Sequence, residues 1–190
     1  MVSGIGNETF EAAFVTTPEE QETVFAIRGV VFVEEQAVPP EEEWDSYDLT
    51  ATHFLVRYLP TQVSPLPTGS LYDSPIEKEE LAVSPLLVGE RSGVRFIVAT
   101  ARLVDKGGEV GKVGRVAVLR DYRGKGVGAL LMHFIEETAR TQGFAQLILE
   151  AQCHAIPFYE KLGYVAEGDI FLDCNIEHRF MSKALTNPTL

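Results

Sequence analysis

Apolar and polar positions along this chain follow two rhythms. Runs that alternate or stay apolar for under about a dozen residues predict strands at 9–16, 53–59, 94–104, 112–119 and 145–150. Two further strands close the chain at 164–167 and 175–184. Helical spacing of Val24, Ile27, Val31 and Phe32 predicts a helix that opens at Thr17-Pro18-Glu19-Glu20 and ends near Gln36, before Pro39-Pro40. Its start has a Thr cap, Pro in the first turn and acids at the positive end of the helix. A second helix spans 127–142 and stops at Gly143; a short third spans 156–162 and stops at Gly163. Asp105-Lys106-Gly107-Gly108 reads as a hairpin turn. The strand–turn–helix–strand unit over 113–150 predicts a right-handed parallel crossover. Together these elements predict an α/β (α+β) domain with a mixed sheet and helices on both faces.

One stretch breaks the pattern. Residues 60–92 hold five of the ten prolines and read as an insertion or long loop, mobile or serving an interface, with one short element around 77–83. The remainder of the 190 residues suits a single domain with a real core.

Composition narrows the classes. No apolar run reaches the length of a membrane span, and Met1-Val2-Ser3-Gly4 lacks the regions of a signal peptide. Two cysteines, Cys153 and Cys174, make no disulfide framework, so a cytoplasmic location is expected. No Cys/His set has zinc spacing, and no metal is expected. Net charge is −12 and uneven: residues 1–90 hold three Lys or Arg against seventeen Asp or Glu, residues 91–190 thirteen against eleven. Such a balance argues against a nucleic-acid partner. It would suit a cationic substrate, although acids also simply solvate a surface.

Chemistry concentrates at Arg123-Gly124-Lys125-Gly126-Val127-Gly128, between a strand and the mouth of a helix. Glycines admit positive φ and a close ligand, while the first helical N–H groups lack partners and sit at the positive end of the helix dipole. The pattern predicts a phosphate or diphosphate socket with two cations beside it. It is not a P-loop, because no Ser or Thr follows Lys125, and its glycine spacing is not the dinucleotide fingerprint.

Arg123-x-x-Gly126-x-Gly128 after Arg115-Val116-Ala117-Val118, with Phe158-Tyr159-Glu160-Lys161-Leu162-Gly163-Tyr164 downstream, resembles the GNAT superfamily of acetyl-CoA-dependent N-acetyltransferases. Ile27-Arg28-x-x-Val31-Phe32-Val33-x-Glu35-Gln36, Glu43-x-Asp45-x-x-Asp48-x-x-Ala51-x-His53 and Leu149-Glu150-Ala151-Gln152 are similar to its ElaA-like branch. The resemblance covers about residues 9–185, apart from 60–92. It implies a mostly antiparallel sheet of about seven strands whose central parallel pair splays around acetyl-CoA. Gly124, Lys125, Gly126, Val127, Gly128 and Ala129 would bind the diphosphate through backbone N–H groups, with Arg123 beside them. Val116, Ala117 and Val118 would pair through their backbone with the pantetheine amides, as an added strand does.

Acetyl transfer to an amine needs a deprotonated nucleophile, a polarised thioester, a protonated leaving group and alignment. Tyr159 is the expected general acid, against a packing role. Glu150, at a strand end, is the expected base, against a role anchoring a loop. Gln152 or His154 would substitute for the pantetheine-holding Asn that relatives often carry. Glu35 and His53 are the expected acceptor-wall residues among the acids of the first half, and Arg28 is expected to pair with one of those acids. An acetyl-cysteine route through Cys153 competes with direct attack in a ternary complex. The expected acceptor is a primary amine of a small molecule, such as an amino sugar or polyamine. A protein lysine or N-terminus, or a non-catalytic acyl-CoA-binding module, are the alternatives. No feature fixes the oligomeric state, and a homodimer stays open.

Overall fold

The computed structural model describes residues 1–5, 8–60, 87–88 and 95–185. The 60–92 insertion, with its expected element at 77–83, lies almost wholly outside the described residues. Strands β1 (Val2–Ile5), β2 (Glu8–Phe14), β3 (Thr52–Pro60), β4 (Leu87–Val88), β5 (Arg95–Asp105), β6 (Val110–Val118), β7 (Gln146–Gln152), β8 (Val165–Asp173) and β9 (Ile176–Ala184) form one sheet. Its order is β1-β2-β3-β5-β6-β7-β9-β8, with β4 paired to β5. Among the described residues only β6 and β7 run parallel, joined by helix α3 (Val127–Thr141); the other described pairings are antiparallel. The mixed, mostly antiparallel sheet is as expected. β1 and β4 are additional: one is too short and Gly-interrupted to signal, the other only two residues long.

Helix α1 (Pro18–Arg28) begins as its sequence dictates. The Thr17 hydroxyl accepts from the Glu20 N–H at 3.2 Å, and the Glu20 carboxylate accepts from the Thr16 N–H at 2.8 Å. The helix expected to reach Gln36 changes character at Gly29. Residues Gly29–Glu34 form a π-helical turn, with the Glu35 N–H bonding the Val30 carbonyl five residues back at 3.0 Å. After Pro39, helix α2 (Pro40–Glu43) and a 3-10 turn (Ser46–Leu49) lead to β3.

Each face of the sheet is covered. Val24, Ile27 and Val31 pack on Leu55, Ile97 and Ala117. On the other face Leu131, Met132 and Ile135 of α3 pack on Phe54, Val98, Leu147 and Met181, with Tyr159 and Tyr164 from the region of α4 (Ile156–Lys161). Successive residues of β3, Phe54, Leu55 and Val56, alternate between the two cores, as the strand period of two requires.

Leu131 has no exposed surface. Leu131→Ala is expected to lower unfolding free energy by about 2–5 kcal/mol through lost transfer energy and a cavity, read as a lower midpoint in urea at unchanged slope.

Candidate active site

β6 and β7 stay together for three residues only: Val110 faces Gln146, Gly111 faces Leu147 and Lys112 faces Ile148. Beyond that point β6 follows β5 as far as Val118 opposite Ala99, while β7 follows β9 as far as Gln152 opposite His178. A bulge contributes to the parting. Gly114 faces Arg102 and Ala117 faces Thr100, so Arg115 and Val116 stand against a single residue of β5. An extra residue on one strand bends it and raises its twist. The edge of β6 toward β7 is therefore unpaired from Val113 onward, and a cleft of about 920 Å³ opens there.

At one end of the cleft lies the glycine turn. Gly124 and Gly126 have φ of 76° and 74°, the region L side chains enter only with strain. Gly126 is the N-cap of α3 and gives no side-chain cap; the first bond into the helix runs from the Leu130 N–H to the Gly126 carbonyl at 2.9 Å. The N–H groups ahead of Leu130 thus point out of the helix end at its positive pole. A Cβ on Gly128 would come within 3.2 Å of the Phe158 ring, so glycine there lets α4 close against the helix mouth. The two cations of the turn are already engaged. Arg123 donates through Nε to the Val118 carbonyl and through Nη2 to Glu35, both at 2.8 Å; Lys125 reaches Glu8 at 2.8 Å. What is left for an anion is chiefly the backbone. An acyl-CoA diphosphate fits this cradle, and the unpaired edge of β6 fits its pantetheine amides.

The outer wall is the segment from Glu41 to Tyr47, held by three arginines. Arg28, almost without exposed surface, donates to Glu43 Oε1 at 2.5 Å and to both Asp48 oxygens at 2.7 and 3.0 Å. Arg102 of β5 donates to Asp45 and to Asp48 Oδ1 at 2.7 Å. Arg115 of β6 reaches the carbonyls of Glu42 and Glu43 at 2.9 and 3.0 Å. Burial acts to raise the Asp48 carboxyl, but hydrogen bonds from Arg28 and Arg102 outweigh it and hold the group at about 2. Burial pushes the Glu43 carboxyl up against the pull of Arg28 and Arg115.

The structure brings most of the expected site residues to the cleft. Val116, Val118, Arg123, Gly124, Gly126, Val127, Gly128 and Ala129 line one part; Glu150, Gln152, His154 and Tyr159 line another. Four do not face it. Ala117 points into the core under α1, Lys125 turns to Glu8, and Glu35 is occupied by Arg123 and, at 3.6 Å, Arg120. His53 is buried on β3, with Nε2 donating to the Asp48 carbonyl at 3.0 Å, and burial pushes its pKa down, so it is neutral. The expected pairing of Arg28 with an acid is present twice over. Periodicity could not have found Arg102 and Arg115 as wall holders, because both read as strand residues.

Tyr159 is 8% exposed and its phenol is pushed up by burial, which keeps the proton on the oxygen. Glu150 is exposed and accepts from Lys112 Nζ at 2.7 Å, at the place where β6 and β7 separate. Gln152 donates to Gln36 Oε1 at 2.7 Å, linking β7 to the π-helical side. Cys153 is not part of the lining. The thiol that is, Cys174, sits at the β8–β9 tip, and burial and Asp173 push it up, so it is protonated at neutral pH. Among the described residues no group of His, Cys, Asp or Glu could hold a metal, and no helix is long and apolar enough to cross a membrane.

Comparison with known proteins agrees with this geometry. The model of the acetyltransferase (GNAT) family matches residues 35–164. An uncharacterized N-acetyltransferase of Bacillus subtilis strain 168, YjcF, is 33% identical over 174 residues, covering 91% of this chain and 99% of its own. Among solved structures, Escherichia coli ElaA superposes with a TM-score of 0.64 at 22% identity, over 96% of this chain and 99% of that one. An acyl-CoA N-acyltransferase from Pseudomonas aeruginosa does so with a TM-score of 0.64 at 22% identity, over 97% and 100%.

The Asp48 carboxyl sits below its ordinary 3.8 in the folded protein, so its contribution is complete above that value and is lost as pH falls through about 2. Asp48→Asn is expected to cost about 3 kcal/mol at neutral pH, because Arg28 and Arg102 each lose a buried partner. It should also flatten the fall in melting temperature between pH 4 and 2, followed by circular dichroism.

Proposed function

The chain belongs to the acetyltransferase (GNAT) family, and on that premise we propose that it moves an acetyl group from acetyl-CoA to a primary amine of a small molecule, such as an amino sugar or polyamine, by direct attack in a ternary complex. The observation that carries this reading is the unpaired edge of β6 running from the parting of the sheet to the uncapped mouth of α3.

When bound, acetyl-CoA supplies an acyl group on a thiolate leaving group. The rest falls to the chain. The N–H groups of the turn from Gly124 to Ala129 hold the diphosphate. The backbone of Val116, Ala117 and Val118 holds the pantetheine, with Gln152 and His154 flanking it from β7 and the 3-10 turn that follows. An alkylammonium with pKa near ~10 must lose a proton before it can attack. Glu150 is the acceptor for that proton, directly or through water. Its present partner, the Lys112 ammonium at 2.7 Å, is a cation of the kind that such a substrate would present to it. Tyr159, kept neutral by burial, donates a hydrogen bond to the leaving sulfur. Glu41 and Glu42 on the wall, with Asp173 on the hairpin, favour a cationic acceptor at the mouth.

A panel of amino sugars, polyamines and aminoalkyl compounds, scored by release of CoA thiol, tests the reading. Turnover confined to peptides, found by mass spectrometry of a library, would move the acceptor to protein. Tyr159→Phe should lower kcat by about 10²-fold with little change in acetyl-CoA affinity; an unaltered kcat removes the residue from the mechanism. Gly126→Glu should abolish measurable acetyl-CoA binding in calorimetry, whereas Gly126→Ala, which adds backbone strain at a φ of 74° but no charge, should weaken it less.

A further inference from the structure

Arg115 has a φ of 53°, in the left-handed region that favours glycine, asparagine and aspartate. Arginine has no short polar group to satisfy its own backbone there, so the conformation is strained and persists because its surroundings enforce it. The residue sits in the β6 bulge, on the edge left unpaired by β7. Its guanidinium crosses to the wall and touches it at four points. Nε lies 3.0 Å from the Glu43 carbonyl and 3.0 Å from Glu43 Oε2; Nη2 lies 2.9 Å from the Glu42 carbonyl and 3.4 Å from Asp45 Oδ2. Two of these contacts are to consecutive main-chain carbonyls. They fix the path of the wall backbone, which a charge pair alone would not do.

We propose that Arg115 is a positioning residue for the acceptor: the bulge ties it to the cofactor-side edge of β6, and its guanidinium sets the distance from that edge to the 41–47 wall. The proposal rests on the acyl-transfer reading of the cleft. Arg28 and Arg102 hold the same segment with only 1% and 6% exposure, although Arg102 also lines the cleft. Arg115 alone of the three is a quarter exposed and is bonded to the strand that lines the cofactor path. It therefore couples where the acetyl donor lies to where the amine is held, and loss of such alignment is costly even for small displacements.

The wall carries its own reporter. Trp44, the single tryptophan of the chain, follows Glu43, lines the cleft and is 42% exposed. Arg115→Gly relieves the backbone strain while releasing the wall, so the fold should keep its melting temperature. In the full chain without ligands, acrylamide quenching of Trp44 should rise about twofold and its anisotropy should fall, as expected for a loosened segment. Acetyl-CoA affinity by calorimetry should stay within about twofold, and KM for the amine that turns over in the panel should rise about tenfold. Arg115→Gln, which keeps donors for the carbonyls but no charge, should fall between the two. Unchanged Trp44 quenching in either folded variant overturns the proposal, as does raised quenching with an unchanged amine KM. Failure of both variants to fold also overturns it, since the role would then be structural. If neither the amine panel nor the peptide library turns over, the acyl-transfer reading fails, while the Trp44 measurement still decides whether Arg115 holds the wall.

Discussion

The separation of two parallel strands is the constraint on which this molecule turns. β6 and β7 share three residue pairs and then part, each following a different antiparallel neighbour. A strand edge left open inside a protein exposes backbone donors and acceptors that must find partners. In an isolated sheet such an edge would invite another strand. Here the gap is bounded by α3, α4 and the 41–47 wall, and a narrow, amide-bearing chain suits it. Pantetheine is of that kind, and the uncapped helix mouth beyond Val118 suits the diphosphate that follows it.

Holding the gap open requires a rigid wall, and the wall is fastened by charge rather than by apolar packing. Three arginines meet Glu43, Asp45 and Asp48 in a network whose innermost members have almost no exposed surface. Buried ion pairs of this sort add little net stability, because desolvation offsets most of the attraction. Their directional hydrogen bonds do fix geometry. The π-helical turn at Gly29–Glu34 contributes to the same end: it brings Val31, Phe32 and Gln36 to the cleft while Arg28, just before it, stays buried against Glu43.

Charge pairing also explains why a net −12 chain does not present a uniformly acidic site. Glu8, Glu20, Glu35, Asp45 and Asp48 of the first half pair with Lys125, Arg57, Arg123 and Arg102. The acids left facing the cleft without an arginine on their carboxylate are few: Glu41, Glu42, Asp173 and Glu150, the last in an exposed pair with Lys112. Selection of a cationic acceptor would therefore be local to the mouth.

Local signals determined much of this protein. Alternation marked the strands, helical spacing and caps marked the helices, and glycines at Gly126 and Gly128 marked the helix mouth, because each of these depends on a residue and its near neighbours. The resemblance carried by Arg123 to Gly128 and by the Tyr159 region named the family and most of the lining. Only the tertiary structure decided which side chains were free to act. Glu35, Lys125 and His53 looked available in the sequence and are claimed by partners far along the chain or by burial. Arg102 and Arg115 looked like ordinary strand residues and became the holders of the wall. The reason is that electrostatic and hydrogen-bond partners are chosen by distance in space, across as many as 117 residues for Lys125 and Glu8, and no spacing along the chain records that choice.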